Sequence, residues 1–215
     1  MKKQVRNRKL KQSSKNWIRR QINDPYVIKA KNEGYRSRAA FKLIEIQNKF
    51  NIIKRDSIVV DLGASPGSWS QVAIEICGNV MAIDLLDMRP ISGVSFIKVD
   101  FLEEGSFQKM AEMLRNRRAD VILSDMAPNT CGITKIDHIK IVNLVEKVYE
   151  FCEVFLNVGG NLVTKVFHGG TESTLLNELK KQFTKVKHFK PRSSRKESSE
   201  IYLVATMYRP AGRNV

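Results

Sequence analysis

Residues 58–70, with the sequence IVVDLGASPGSWS, decide the fold of this chain. The apolar, β-branched start of this stretch predicts a strand buried on both faces, as in a parallel sheet. Gly63 and Gly67 permit a positive φ or the close approach of a ligand, and we expect Ser68 to cap a helix that carries Trp69. A strand, a glycine-rich turn and a helix in this order form the usual binding site of a nucleotide-like cofactor at the carboxyl edge of a sheet.

Apolar runs alternate with helical periodicities along most of the chain. Strands are predicted over residues 58–60, 80–85, 94–100, 121–125, 162–167, 186–189 and 201–207, and Gly159-Gly160 is expected to end the long helix before the fifth strand. Alternation of strands with helices predicts a parallel sheet covered on both faces. Only residues 191–199 separate the last two strands, too few for a helical crossover, so the final strand should run antiparallel. The predicted fold class is α/β, with a Rossmann-like, seven-stranded, mostly parallel sheet.

The charge of the chain favours a polyanionic partner. Its 215 residues carry a formal net charge of +15, which suits nucleic acid or an acidic membrane surface. No apolar stretch approaches the roughly 20 residues of a membrane span, so no spanning segment is expected. The three cysteines and three histidines are scattered without disulfide or metal-ligand spacing, which predicts a reducing, cytoplasmic location and no metal.

Two basic segments are candidates for RNA contact. Residues 1–20 contain nine lysines and arginines and no acid, so residues 1–23 are expected to form a flexible basic arm attached to a single domain over residues 24–215. A mitochondrial presequence is the alternative for this segment. The basic run over residues 185–196, together with Arg36 and Arg38, is expected to contact phosphates, and generic solubility charge is the alternative.

Acids at the ends of the second and third strands narrow the choice of cofactor. Asp84 lies about 20 residues beyond the glycine turn, where an acid accepts from ribose hydroxyls, and Asp100 is placed to accept from an adenine amino group. Neither G-x-G-x-x-G nor G-x-x-x-x-G-K-[ST] occurs, which disfavours dinucleotides and P-loop nucleotides. An acid-rich pocket suits a ligand with a positive centre and no phosphates, and S-adenosylmethionine is such a ligand.

Lys165 is the most informative single residue. A lysine inside an apolar strand would cost several kcal/mol if buried unpaired, so it needs a carboxylate partner or an open cleft, unless it simply faces outward at the end of the strand. Asp125 precedes an Ala-Pro pair and is equally well explained as a turn former. Residue type alone predicts that Lys42 and Glu200 are solvated surface charges.

Six motifs in this chain resemble, in order, those of the FtsJ/RrmJ family of ribosomal RNA 2′-O-methyltransferases. They are SRAAFKL at 37–43, DLGASPGSWS at 61–70, SDMAPN at 124–129, KVF at 165–167, FTKV at 183–186 and SEIYLVA at 199–205. The resemblance extends from about residue 15 to the end of the chain. Ser65 and Ser68 depart from it, because the family usually has alanine and glycine there.

The resemblance implies a class I methyltransferase fold with S-adenosylmethionine as cofactor. It implies a catalytic tetrad at Lys42, Asp125, Lys165 and Glu200. Cofactor contacts are expected at Gly63, Gly67, Trp69, Asp84, Asp100 and Asp125, of which Gly63 follows from the glycine turn and the others from the resemblance.

The implied reaction transfers a methyl group to the ribose 2′-hydroxyl of a uridine in large-subunit (23S) rRNA, presented on the large ribosomal subunit to a monomeric enzyme. A tRNA ribose 2′-O-methyltransferase and a non-catalytic RNA-binding ribosome assembly factor are the alternatives. The sequence leaves open whether Lys165 donates a hydrogen bond to the developing oxyanion or removes the proton. It also leaves open which nucleotide is modified.

Overall fold

The computed structural model describes residues 11–128, 134–167 and 173–210, which form an α/β domain. Its strands are β1 (Val59–Leu62), β2 (Val80–Asp84), β3 (Val94–Lys98), β4 (Ala119–Ser124), β5 (Leu156–Phe167), β6 (Phe183–Phe189) and β7 (Glu200–Tyr208). Its helices are α1 (Gln12–Asn23), α2 (Pro25–Asn32), α3 (Ala40–Phe50), α4 (Ser68–Cys77), α5 (Ser106–Leu114), α6 (Thr134–Phe155) and α7 (Ser173–Gln182).

The strands form one seven-stranded sheet in the order β3-β2-β1-β4-β5-β7-β6. The pairs β2–β3, β1–β2, β1–β4 and β4–β5 are parallel, whereas β7 is antiparallel to both β5 and β6. The predicted seven-stranded, mostly parallel sheet with an antiparallel last strand is therefore confirmed. Strand order reverses between β1 and β4, and ligands of such sheets bind at the carboxyl ends beside this reversal.

Helices cover both faces of the sheet, and successive side chains of β1 point alternately to those two faces. Val60 and Leu62 belong to an apolar core that also contains Met110 of α5 and Phe151 of α6. Val59 belongs to a second core, formed with side chains from α3 and α4. The apolar side chains of β1, those of Val59, Val60 and Leu62, are all fully buried. This burial explains the apolar run at the start of the fold-determining stretch.

The prediction that Gly159 and Gly160 end the long helix is wrong. Helix α6 ends at Phe155, and β5 begins at the next residue. Gly159 has a φ of +81° inside the strand, where the pairing of β5 with β4 shifts register between Ala119 and Val121. The two glycines therefore accommodate a strand irregularity, for which the absence of a side chain is well suited.

Residues 12–23, assigned to the flexible arm from sequence, form helix α1. Ile18 and Ile22 are four residues apart and partly buried, so the segment has a short apolar stripe despite its charge. Asp24 then caps α2 by accepting from the backbone N–H groups of Tyr26 and Val27. Residues 1–10 of the predicted arm lie outside the described residues.

Cys77 and Cys152 are buried free thiols, and Cys131 lies outside the described residues. None of the described helices is both long enough and apolar enough to cross a membrane. Within the same ranges, no three His, Cys, Asp or Glu side chains are grouped so that they could hold a metal ion.

Candidate active site

A cavity of about 580 Å³ opens at the carboxyl ends of β1, β2 and β4. This volume lies within the usual range of small-molecule sites. Four of the predicted cofactor residues line it, namely Gly63, Asp84, Asp100 and Asp125, whereas Gly67 and Trp69 do not. Leucines on the loops after β2 and β3 form apolar walls beside the acids: Leu85, Leu86 and Leu102.

The glycine turn is closely packed at both of its glycines. Gly63 has a φ of +73°, and a Cβ there would lie 2.2 Å from Cγ of Met126. Gly67 has a φ of +106° and is the N-cap of α4. The prediction that Ser68 caps this helix is wrong, because the helix already begins at Ser68 and its hydroxyl pairs with that of Ser37 at 2.7 Å.

Backbone amides fix two of the acids that line the cavity, Asp84 and Asp100. The carboxylate of Asp84 accepts from the backbone N–H groups of Ser65 and Leu86 at 2.8 Å and 2.7 Å. Asp100 accepts from the N–H group of Leu102 at 2.9 Å. Asp84 is therefore held at the cavity wall by its own loop and by the glycine turn, and Asp100 by its own loop. Each oxygen retains acceptor capacity for a ligand.

The side chain of Trp69 lies in the protein core. It is only 2% exposed, its indole N–H donates to the carbonyl of Ala39 at 2.8 Å, and its ring packs on Tyr202 with centroids 5.5 Å apart. Any contact of this residue with a cofactor would therefore be made through its backbone amide in the first turn of α4, where N–H groups lack helical acceptors.

The four predicted catalytic side chains come together around Asp125. The ammonium of Lys165 donates to the Asp125 carboxylate at 3.0 Å and to the Asp125 carbonyl at 2.5 Å. The ammonium of Lys42 lies 3.8 Å from the same carboxylate and 3.4 Å from Glu200. Lys42 is 9% exposed, so the expectation of a solvated surface charge is wrong for this residue.

Tyr202 connects these charges, although sequence reasoning assigned it no role. Its hydroxyl donates to Asp125 at 2.6 Å and accepts from Lys42 at 2.9 Å. The sequence carried a signal, because Tyr202 lies two residues after Glu200 and strand alternation places both on one face of β7. The register then sets Tyr202 directly opposite Lys165 on β5.

The electrostatics of the cluster favour an ionised Asp125 and a protonated Tyr202. Burial raises the pKa of Asp125, but the ammonium groups of Lys165 and Lys42 and two hydrogen bonds outweigh it, so the pKa lies below its ordinary value. Burial, followed by the adjacent Asp125 carboxylate, raises the pKa of Tyr202 well above its ordinary value. Charge is thus balanced between two ammonium groups and two carboxylates.

Asp61 is a buried acid behind the cavity that sequence reasoning did not single out. One carboxylate oxygen accepts from the hydroxyl of Ser70 at 2.6 Å, and the other has no partner among the described residues. The pKa of Asp61 is raised to about 7, because burial and, to a smaller extent, the carboxylates of Asp125 and Asp84 raise it more than the Ser70 hydrogen bond lowers it.

Arg38 makes internal contacts rather than the phosphate contacts expected from the sequence. Its guanidinium forms an ion pair with Asp24 and donates to the carbonyl of Ser193. Arg195 lies 3.6 Å from the same Asp24 carboxylate. These contacts hold the basic loop between β6 and β7 against α2 and α3, next to Glu200 at the start of β7.

The sheet order and the cavity at its reversal place the protein in the class of Rossmann-like methyltransferases. A comparison with protein families assigns the chain more narrowly within this class. Residues 35–208 match the FtsJ-like methyltransferase model, and the chain belongs to that family.

Relatives and solved structures agree with this assignment. The chain is 53% identical over 204 residues to the ribosomal RNA large subunit methyltransferase E of Acidiphilium cryptum (strain JF-5), covering 94% of this chain and 90% of the relative. It is 51% identical over 201 residues to the protein of the same name from Rickettsia bellii (strain RML369-C), covering 90% and 88%. A crystal structure from Plasmodium falciparum of a protein assigned as a ribosomal RNA methyltransferase is 34% identical. It superposes with a TM-score of 0.72 and covers 81% of this chain and 98% of that one.

Proposed function

We propose that this protein transfers the methyl group of S-adenosylmethionine to a ribose 2′-hydroxyl in large-subunit rRNA, most simply a uridine of 23S rRNA on the assembled subunit. Family membership and the names of the relatives support a large-subunit rRNA substrate. The observation that carries the proposal is the position of Asp125. This residue lines the cavity and also binds Lys165, Lys42 and Tyr202.

The cavity fits S-adenosylmethionine. Three carboxylates line it, against one lysine, Lys140, which suits a cationic ligand without phosphates. In the proposed complex Asp84 accepts from the ribose hydroxyls and Asp100 from the adenine amino group, while Gly63 lets the backbone approach the ligand. The bound cofactor supplies an electrophilic methyl group on a sulfonium, so the protein needs mainly to position the attacking oxygen and stabilise its charge.

In the proposed mechanism the 2′-oxygen forms its bond to the methyl group as the bond between that group and sulfur breaks, and the hydroxyl proton leaves to water at the mouth of the cavity. Lys165 stabilises the oxygen during this step. An ammonium has three N–H donors, and the two contacts with Asp125 use two of them. The third donor is available to the 2′-oxygen, where it would stabilise negative charge in a largely water-excluded site. Lys42 and Tyr202 support this arrangement by contacting the same carboxylate oxygen of Asp125, and Glu200 pairs with Lys42.

The proposed RNA surface is the basic loop between β6 and β7 together with the exposed face of β6. Exposed cations there include Lys185, Lys190, Arg192 and Lys196, and the loop leads directly into Glu200. Phosphate contacts from this loop would place a ribose near the Lys165 ammonium, because the loop and the cluster share an edge of the sheet. A substrate of this kind is consistent with action in the cytoplasm, where the large subunit is assembled in bacteria.

Transfer of a labelled methyl group tests the proposal. The protein is incubated with methyl-labelled S-adenosylmethionine and large ribosomal subunits that lack the modification, and incorporation into RNA is measured. We expect Lys165→Ala and Asp125→Ala to lower the rate by about 10²–10³-fold, the usual cost of a lost oxyanion donor. Lys109→Ala is the matched control, because Lys109 is exposed on α5. Full activity in both cluster variants, with both proteins folded by circular dichroism, would contradict the mechanism.

A further inference from the structure

We propose that Arg36 is a positioning residue for the cofactor, which fastens the glycine turn to the loop that follows β2. The sequence suggested that Arg36 contacts RNA phosphates, but its guanidinium donates to three backbone carbonyls of the protein itself. This inference rests on the proposed use of S-adenosylmethionine, and it concerns a residue outside both the cavity lining and the catalytic cluster.

Three hydrogen bonds of the Arg36 guanidinium join two separate loops. Nη1 donates to the carbonyl of Pro66 in the glycine turn at 2.8 Å and to that of Arg89 in the loop after β2 at 2.6 Å. Nη2 donates to the carbonyl of Pro90 at 2.8 Å. A planar guanidinium offers five donors in a fixed geometry, so one side chain can hold both loops at a defined distance.

The two loops that Arg36 joins both contribute residues to the wall of the cofactor cavity. The glycine turn contributes Gly63 and Ser65, and the beginning of the loop after β2 contributes Leu85 and Leu86. Ser65 also contacts this loop, donating through its hydroxyl to the carbonyl of Asp87 at 3.2 Å. The relative position of these two parts of the wall therefore depends on the contacts between the loops, and Arg36 supplies the charged part of those contacts.

The backbone at Arg36 is itself fixed to α4. Its N–H group donates to Oε1 of Gln71 at 2.8 Å, and Nε2 of Gln71 donates to the carbonyl of Gly34 at 3.0 Å. The guanidinium also packs closely against Gly67, where a Cβ would lie 2.9 Å from Nη1 of Arg36. The guanidinium thus occupies the space that the absence of a side chain at Gly67 provides.

The loss of this bridge should weaken cofactor binding without changing the chemistry of the bound complex. Without Arg36 the two loops lose three of the hydrogen bonds that join them and keep those of Ser65. The cofactor must then restrict the more mobile loops when it binds, which reduces affinity. The cluster around Asp125 is untouched by this change. We therefore expect a higher Kd and a higher KM for S-adenosylmethionine at a nearly constant kcat.

The first measurement is calorimetric titration of the protein with S-adenosylmethionine. We expect Arg36→Ala to raise Kd by about tenfold or more, which corresponds to about 1.4 kcal/mol, and Arg36→Lys to recover part of this loss. Arg89→Ala is the matched control, because it removes an exposed positive charge from the same loop but keeps the carbonyl that accepts from Arg36. An unchanged Kd in Arg36→Ala, or an equal loss in Arg89→Ala, would overturn the proposal.

The second measurement does not depend on the cofactor at all. Amide hydrogen exchange of the ligand-free protein should be faster over residues 63–70 and 85–93 in Arg36→Ala than in the wild type, with the rest of the sheet unchanged. Gln71→Ala should accelerate the same two segments if Arg36→Ala does not fold. Unchanged exchange in these segments would refute the bridge. If exchange becomes faster in Arg36→Ala as expected but the wild type does not bind S-adenosylmethionine, the bridge stands and the proposed function is refuted.

Discussion

Replacement of Asp61 by asparagine should make the protein less sensitive to rising pH. Burial raises the pKa of this carboxyl to about 7 in the folded state, from an ordinary value of 3.8. Between these two values the folded protein binds more protons at this site than the unfolded chain does. The free energy of unfolding therefore falls as pH increases through this window and becomes constant above it.

The magnitude follows from the width of the window. Each pH unit costs about 1.4 kcal/mol for one proton, so the change amounts to about 2 kcal/mol between pH 5 and pH 7, where the group is half titrated, and to about 3 kcal/mol by pH 8. Asparagine does not ionise, and its carbonyl can still accept from Ser70. The free energy of unfolding of Asp61→Asn minus that of the wild type should therefore increase by about 3 kcal/mol between pH 5 and pH 8.

Urea unfolding of both proteins at pH 5, 6, 7 and 8 measures this difference. Val59→Ala is a suitable control, because it opens a cavity on the same buried strand and its cost should not vary with pH. Ser70→Ala removes the hydrogen bond that lowers the pKa of Asp61, so the loss of stability should then extend to higher pH. A difference between Asp61→Asn and the wild type that stays constant from pH 5 to pH 8 would refute the reasoning.

Three further predictions concern the site and its substrate. Tyr202→Phe removes a donor to Asp125 and an acceptor for Lys42; we expect methyl transfer to slow by about tenfold or more, since hydrogen bonds to charged groups contribute about 1.5–3 kcal/mol each, and an unchanged rate would exclude a role for the hydroxyl. Gly67→Ala should reduce thermal stability and cofactor affinity more than Gly78→Ala, because both glycines have positive φ but only Gly67 is crowded by neighbouring side chains; equal effects in thermal melts and titrations would contradict this. Binding of rRNA should weaken with salt, with a slope of log K against log salt of roughly −4 for six phosphate contacts; an affinity that does not change with salt would argue against the basic surface.

The sheet was predictable from sequence because buried parallel strands have an unambiguous pattern. The run at the start of β1 is apolar on both faces, and the burial of Val59, Val60 and Leu62 accounts for it. The antiparallel last strand followed from the length of the connection alone. The prediction for the glycines of β5 is wrong because a positive φ at glycine is common both at the end of a helix and at an irregularity within a strand. Local sequence does not distinguish these two cases.

The cluster around Asp125 was predictable only in part. Lys165 could be singled out because a charge inside an apolar strand needs a partner. Lys42 and Glu200 could not, because their burial and pairing depend on how α3 and β7 meet across 158 residues of chain. The family resemblance supplied Lys42 and Glu200 together. The spacing from Glu200 places Tyr202 on the same face of β7, but its position opposite Lys165 depends on the strand register, which the structure provides.

Arg36 and Arg38 show the same limit for charged residues in loops. Their sequence environment is that of a basic RNA-contacting segment, and nothing local indicates that their guanidinium groups bind acceptors of the protein itself. The acceptors of Arg36 are carbonyls 30, 53 and 54 residues away. Such long-range contacts with backbone groups leave no mark on residue type, so sequence patterns do not reveal them.

The central claim, methyl transfer to a ribose of large-subunit rRNA, is tested most directly by locating the methyl group. Large ribosomal subunits and bulk tRNA, both lacking the modification, are treated separately with the protein and S-adenosylmethionine, and the RNA is digested and analysed by mass spectrometry. We predict one 2′-O-methylated uridine in the large-subunit RNA and none in the tRNA. Methylation of tRNA alone, methylation of a base instead of a ribose, or no incorporation into either RNA would contradict the claim.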